Sequence, residues 1–250
     1  MNVRIDLAYD GRNFFGSQRQ LLERTVQGEL ERVLAILYQQ PIGVQLSSRT
    51  DTGVHARRQV GHFHTNRNIP LDRVDYALRS LLPQDIQLIG LTEVSEQFHA
   101  RFDATEKTYQ YHLTYHDDVF DRAYKVFLSR PLDLELVDQA IPALVGEHDF
   151  FSFSNRRKAE KSTIRDLRAI HYQLDGDNLV FTFRGEGFLY KMVRILMQYL
   201  IQVGMGKIDP ARTRDVLANR SREHTRKVAP PQGLYLVDIQ YNNIVSKREI

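Results

Sequence analysis

The order of apolar patterns along the first hundred residues restricts the fold more than any other feature of the chain. Residues 3–9 alternate between apolar and polar side chains, as a half-buried strand does. Apolar residues at helical spacing follow over 26–37, then strand-like runs on both sides of a polar loop. A helix over about 71–81 and a strand over 86–91 complete the series. The order is β-α-β-β-α-β, which is the split βαβ arrangement.

The second half of the chain repeats this order. Alternating tyrosines over 109–115 predict a strand, residues 134–144 a helix, and residues 164–183 a hairpin. A strongly apolar helix over 188–203 and a last strand over 234–239 follow. We therefore expect an α+β fold with two units of the split-βαβ kind, as in RRM or ferredoxin-like domains.

The two units are expected to divide the chain at residues 1–104 and 105–250. Helices would pack on a shared, mostly antiparallel sheet. A cleft between the units would hold the active site, because sites form preferentially where two units meet.

Composition excludes several classes of protein. Of the 250 residues 42% are apolar, which is enough for a packed core. No cysteine is present, so disulfide bonds, thiolate zinc sites and cysteine nucleophiles are excluded. No apolar run approaches the length needed to cross a bilayer, and no signal pattern opens the chain. We expect a cytoplasmic protein without membrane contact.

The positive charges are clustered although the net charge is only +3. Arg156, Arg157 and Lys158 form one cluster, and a second cluster surrounds Arg222. Clusters of this kind are usually solvated surface, but two of them in loop-like contexts favour a polyanionic partner.

The polar loop of residues 47–56 reads Ser-Ser-Arg-Thr-Asp-Thr-Gly-Val-His-Ala, with Asp51 at its centre. A lone aspartate in a loop is usually a turn residue. The whole string, however, resembles the Arg-Thr-Asp-x-Gly-Val-His loop of the TruA family of tRNA pseudouridine synthases. Three more motifs resemble this family in the same order. They are Lys107-Thr108-Tyr109-Gln110-Tyr111, Gly185 to Arg194, and Gly233-Leu234-Tyr235-Leu236.

The resemblance assigns roles to residues of the motifs. Asp51 would be the catalytic nucleophile, Arg194 its partner, and Tyr109 the ring that stacks on the target base. Arg49 and Leu234 would bind substrate, and Leu234 would line the uracil pocket. We expect phosphates to be bound by the remaining cations near these motifs and in the first cluster: Arg57, Arg58, Arg156, Arg157 and Lys158. Apart from the resemblance, Arg194 lies in so apolar a helix that it requires a partner.

The substrate implied by the resemblance is uridine in the anticodon stem-loop of tRNA, at tRNA positions 38–40. A homodimer is implied as well. The isomerisation changes no oxidation state and needs no energy source, so no cofactor and no metal are expected. Three residues depart from the common family pattern: Ser17, Ser48 and Thr52 stand where Trp, Gly and Ala are usual. We expect Ser17 and Ser48 on a loop surface that faces RNA.

Three other functions would place different requirements on the sequence. A non-catalytic RNA-binding protein built from RRM-like units would have no use for a paired Asp51 and Arg194. A glycosidase would need a second carboxylate, and none stands in a matching motif. His55, His62 and His64 allow a metal site, but histidines on the polar face of a strand are the simpler explanation.

Overall fold

The computed structural model describes residues 1–155 and 162–242. Its strands are β1 (Asn2–Tyr9), β2 (Val44–Leu46), β3 (His55–His64), β4 (Ile86–Val94), β5 (Ala104–Thr114), β6 (Val126–Phe127), β7 (Gly146–Asp149), β8 (Ile164–Asp175), β9 (Asn178–Gly185) and β10 (Leu234–Tyr241). Its α-helices are α1 (Val26–Tyr38), α2 (Leu71–Leu81), α3 (Leu134–Leu144), α4 (Met192–Gly204) and α5 (Thr213–Ala218). The predicted α+β class with a mostly antiparallel sheet is confirmed.

The first compact unit comprises residues 1–105 and the described residues from 235 onward. Strand β1 lies between β3 and β4 and is antiparallel to both, and β2 is antiparallel to β3. Val3, Ile5 and Leu7 of β1 are fully buried, which explains why their alternation identified the strand. Thr25 caps α1 by accepting a hydrogen bond from the Gly28 amide, at 3.2 Å.

The second compact unit comprises residues 106–234. Strand β9 lies between β5 and β8 and is antiparallel to both, and β7 is antiparallel to β8. Helix α4 buries ten of its thirteen residues. Its Tyr199 ring packs edge-on against Phe153, with ring centroids 5.3 Å apart.

The last strand departs from the predicted division of the chain. Residues 105–250 were expected to form one unit, but Tyr235 and Leu236 of β10 pair in parallel with His55 and Ala56 of β3. Backbone pairing with β3 therefore groups β10 with the first unit. Parallel pairing joins distant segments and leaves no local signature in the sequence.

Two element boundaries also differ from the prediction. Strand β3 begins at His55, within the polar loop predicted over residues 47–56, so the loop ends at Val54. Helix α4 begins at Met192, not at Phe188, because Lys191 has a left-handed backbone with φ 61°. A residue in that conformation interrupts a right-handed helix.

The histidines of β3 were expected to face a polar surface, but two of the three do not. His55 and His62 are buried, and His64 alone is exposed. The Nδ1 atom of His62 accepts a hydrogen bond from the Ala100 amide at 3.2 Å, and its ring lies against His99 with centroids 4.7 Å apart. Over residues 1–155 and 162–242, no group of three metal-ligating side chains could hold an ion. Over the same residues no helix is long and apolar enough to cross a membrane.

Burial and the nearby rings of His99 and His64 lower the pKa of His62 to about 4. The folded protein therefore binds this proton less readily than the unfolded chain, whose histidine pKa is about 6.5. The contribution of neutral His62 to the free energy of unfolding should be fully present above pH 6.5. It should be lost as the pH drops from 6.5 towards 4, by up to ~1.4 kcal/mol per pH unit. Chemical denaturation over this pH range measures the effect.

The variant His62→Gln serves as the control for this prediction. Its amide oxygen can still accept from Ala100, but the side chain does not titrate. Its free energy of unfolding should fall less steeply with acid than that of the wild type. Parallel curves would show that His62 does not contribute.

Candidate active site

The Asp51 loop is a tight structure between β2 and β3. Asp51 is half-buried, and its carbonyl accepts a hydrogen bond from the Val54 amide at 3.2 Å, which closes a turn. Gly53 occupies this turn with φ 77°, a conformation that glycine adopts without steric cost. The turn fixes the backbone from which the Asp51 side chain projects.

The segment of residues 10–17 packs directly against this loop. The Gly53 amide donates to the Phe14 carbonyl at 3.4 Å, and the Ser17 amide donates to the Thr50 carbonyl at 3.1 Å. At Gly11 the two backbones approach so closely that a Cβ atom would lie 2.0 Å from the Val54 carbonyl oxygen. Any larger residue at Gly11 would therefore push the segment away from the loop.

Ser17 and Ser48 are buried, which corrects the expectation that they form a surface facing RNA. The Ser17 hydroxyl donates to the Ser48 carbonyl at 3.2 Å and accepts from the Thr50 amide at 2.9 Å. The Gln59 side chain bonds both backbone groups of Ser48, at 2.8 and 3.1 Å. These residues hold the backbone on the N-terminal side of Asp51.

Tyr9 and Gln59 were not predicted as site residues. The Tyr9 hydroxyl lies 2.8 Å from the Thr50 hydroxyl and accepts from the Gln59 amide at 3.3 Å. Burial raises the pKa of Tyr9 to about 12, so the phenol stays neutral. The only hint in the sequence is a polar group on the buried face of each strand, Tyr9 in β1 and Gln59 in β3, because buried polar groups need partners.

The three predicted arginines around the loop have different surroundings. Arg49 and Arg57 are exposed, and the Arg57 guanidinium lies over the Tyr235 ring at 5.4 Å. Arg58 forms ion pairs with Asp6 and Asp238, both at 3.1 Å. Two carboxylates already neutralise Arg58, whereas Arg49 and Arg57 present their charge to solvent.

The remaining residues that were predicted to act in catalysis or substrate binding, apart from the first basic cluster, lie in the second unit. Tyr109 is buried in β5, with the Phe188 ring packed edge-on at 5.1 Å. Arg194 is half-buried in the first turn of α4, and its Nε donates to the Ala229 carbonyl at 2.7 Å. The Ala229 amide donates back to the Arg194 carbonyl at 3.1 Å. Leu234 is buried.

Asp51 and Arg194 belong to different compact units. The pairing of their side chains stays a prediction. Arg156, Arg157 and Lys158 lie outside the described residues, so their predicted phosphate contacts stay predictions as well. In the second basic cluster, Arg220 pairs with Asp149 at 2.6 Å and Arg222 donates to the Asn155 side chain at 2.6 Å.

Comparison with known proteins identifies the family of this chain from matches that cover most of its length. The family described as tRNA pseudouridine synthase matches residues 7–103 and 140–242. The matched segments contain the Asp51 loop and Arg194, while Tyr109 lies between them. The chain belongs to the tRNA pseudouridine synthase family.

Individual relatives resemble this synthase along most or all of their length. The tRNA pseudouridine synthase A of Bacillus pumilus is 41% identical over 97% of this chain and 100% of its own. That of Halalkalibacterium halodurans is 43% identical over 93% and 89%, and that of Oceanobacillus iheyensis is 43% identical over 96% of each chain. The predicted family and the predicted isomerase activity are confirmed: the synthase converts uridine to pseudouridine in tRNA. This result removes the RNA-binding and glycosidase alternatives.

The contacts of Ser17 lead to a prediction. Ser17→Ala should lower the free energy of unfolding by about 1–3 kcal/mol, because the Thr50 amide and the Ser48 carbonyl lose a buried partner. Turnover should fall as well, because both groups hold the loop of Asp51. Thermal denaturation and initial rates of the synthase measure the two effects.

Ser80→Ala is the matched control, since Ser80 is an exposed serine of α2 whose hydroxyl bonds the Tyr76 carbonyl. It should leave the turnover of the synthase unchanged. Equal behaviour of the two variants would contradict the bracing role of Ser17.

Proposed function

We propose that this synthase isomerises uridines in the anticodon stem-loop of tRNA, at tRNA positions 38–40, with Asp51 as the catalytic nucleophile. The observation that carries the proposal is the build of the Asp51 loop. Its sequence resembles the signature loop of the TruA family, and its backbone is held by Ser17, Gln59 and the turn to Val54. A reactive group needs such fixed placement, since small displacements cost much of the rate.

The reaction requires two bonds to break and two to form. The bond between N1 of uracil and C1′ of ribose breaks, the base turns, and a bond forms between C5 and C1′. The hydrogen at C5 leaves as a proton, and N1 takes up a proton. The Asp51 carboxylate assists either by stabilising the sugar cation or by attacking covalently, and both routes need its negative charge.

The target base must leave its stack before Asp51 can reach it. We propose that Tyr109 then stacks on the base, with Leu234 lining the pocket and Arg49 binding the substrate. The edge contact with Phe188 supports this role for Tyr109, because it holds the ring in one orientation. Arg57, Arg58, Arg156, Arg157 and Lys158 would bind phosphates, with Arg58 the least available because of Asp6 and Asp238.

We also infer that the two units are split-βαβ units, the first carrying Asp51 and the second carrying Tyr109 and Arg194. The antiparallel strand order β4-β1-β3-β2 of the first unit supports this inference. The shared sheet and the cleft, the homodimer and the cytoplasmic location stay predictions, as does the expectation that no metal is used.

Tritium release tests the reaction and the nucleophile together. Transcripts of tRNA labelled with tritium at C5 of uridine lose the label when C5 bonds to C1′. The wild type should release tritium from uridines 38–40 of the transcript, and Asp51→Asn should abolish release because the charge is lost while the shape is kept. Asp72→Asn, at an exposed position of α2, is the control and should be active.

Near-normal release by Asp51→Asn would end its assignment as nucleophile. Release from other uridines would instead overturn the proposed substrate. The pairing with Arg194 is tested by thermal denaturation of Asp51→Asn, Arg194→Lys and the double variant, because the free energy of unfolding can be measured in all three. Groups that act as one unit show strongly non-additive losses, so additive losses would contradict the pairing.

A second prediction concerns the ring of Tyr109. Tyr109→Phe should keep most of the activity, whereas Tyr109→Ala should lose about 1–3 kcal/mol of substrate stabilisation, which is the value of one stacked base. Tyr172→Ala controls for lost packing, because Tyr172 is a half-buried tyrosine of β8 in contact with Phe181. If the phenylalanine and alanine variants of Tyr109 have equal turnover, the stacking role is wrong.

A further inference from the structure

A positively charged cleft lies beside the Asp51 loop within the first unit. It has a volume of about 260 Å³, and Arg19, Arg49 and Arg101 line it together with polar side chains. Arg49 stands two positions before Asp51 in the loop. Arg49 therefore belongs both to the lining of the cleft and to the loop of Asp51.

The charges of this cleft are only partly neutralised. Arg19 pairs with Glu31 at 2.8 Å. Among residues 1–155 and 162–242, no carboxylate forms an ion pair with Arg49 or Arg101. Two unneutralised guanidinium groups in one cleft provide a place for an anion such as a phosphate.

An exposed aromatic ring adjoins the cleft. Phe102 follows Arg101 in the turn between β4 and β5, and 74% of its surface is exposed. The Phe102 ring lies against the His99 ring, with centroids 4.2 Å apart and an angle of 33° between the ring planes. The Arg101 guanidinium is 5.7 Å from the centroid of the Phe102 ring. The Phe102 ring thus rests against His99, lies near the positive charge of Arg101 and keeps most of its surface open to solvent.

The turn that carries this ring is held firmly. The His99 amide donates to the Asp103 carboxylate at 2.8 Å, and the Asp103 amide donates to the His99 carbonyl at 3.1 Å. The Arg101 and Phe102 amides both donate to Nδ1 of His99, at 3.2 and 3.3 Å. A large apolar ring held on a rigid turn in contact with water loses little entropy when a partner covers it.

We propose that Phe102 is a stacking platform for an unpaired base of the RNA substrate, distinct from the target uridine, with the adjoining phosphate bound by Arg49 and Arg101. The proposal rests on tRNA as the substrate. Single-stranded RNA offers bases that stack on aromatic rings and phosphates that bind arginine, and this surface provides both groups side by side. Occupation of the site would position the RNA relative to the loop of Asp51.

A second copy of the chain is the other conceivable occupant of this surface. Stable protein interfaces bury about 800 Å² on each partner, with a core depleted of charge. Here a single exposed ring lies beside Arg101, which lines the cleft together with Arg49, and neither arginine has an ion-pair partner among the described residues. The charge therefore favours RNA.

The experiment compares Phe102→Ala, Phe102→Tyr and the control Tyr76→Ala, which removes an exposed ring from α2 of the same unit. Dissociation constants for a tRNA transcript are measured by fluorescence anisotropy, and KM and kcat by tritium release. Phe102→Ala should raise the dissociation constant and KM on the order of tenfold, as expected for one stacked base. The melting temperature should stay unchanged, because the ring is exposed. Phe102→Tyr should restore binding, and Tyr76→Ala should match the wild type.

Arg101→Gln tests the phosphate contact in the same binding assay. It should weaken binding and make the dissociation constant less dependent on salt, because one counterion-releasing contact is lost. An unchanged salt dependence would overturn the phosphate part of the proposal.

Three other results decide whether Phe102 is a stacking platform and whether the proposed function holds. Equal binding by Phe102→Ala and Tyr76→Ala would overturn the platform. A change of sedimentation mass in Phe102→Ala, with RNA binding intact, would assign the ring to an interface between copies and would also overturn it. Failure of the wild type to release tritium would overturn the proposed function, while the binding measurements would still decide the role of Phe102.

Discussion

The close approach of two backbones, at residues 11–17 and 47–54, is the constraint on which the first unit depends. It requires glycine at two places: a Cβ atom on Gly11 would meet the Val54 carbonyl, and one on Gly16 would lie 2.7 Å from the Thr50 carbonyl. Ser17 then links the backbones by hydrogen bonds to Ser48 and Thr50. Asp51 follows this link directly, so the position of its carboxylate depends on contacts with a segment more than thirty residues away in sequence.

Ion pairs with buried or half-buried carboxylates hold the surroundings of these segments. Arg24 donates to both oxygens of Asp85 at 2.7 and 2.8 Å and lies 4.3 Å from the Phe14 ring centre, which anchors the far end of the 10–24 segment. In the second unit, Arg168 and Arg184 hold Glu106 at the start of β5, three residues before Tyr109. Burial alone would raise the pKa of Glu106, but the hydrogen bonds and charges of both arginines lower it below its usual value. Such groups stay charged because each has a partner.

Much of the secondary structure could be predicted because the periodicity of apolar residues is itself a consequence of burial. Helices α2 and α3 begin and end where the spacing of leucines and valines indicated. The start of α4 could not be predicted in this way, since the left-handed backbone of Lys191 has no apolar signature. The prediction that the histidines of β3 lie on a polar face was wrong for a related reason. A strand pattern does not tell which polar side chains will find partners, and His62 finds Ala100 and His99 through tertiary contacts.

The sequence by itself determined the fold class and the family, because those depend on local patterns and on motifs with specific residue types. Tertiary structure alone decided that Ser17 and Ser48 are buried braces, that Arg58 is neutralised by Asp6 and Asp238, and that β10 pairs with β3. It also placed the exposed ring of Phe102 next to a charged cleft. These features depend on which distant segments meet. A hydrogen bond or an ion pair between such segments is determined by the packing of the whole unit, and the residues near it in sequence carry no mark of it.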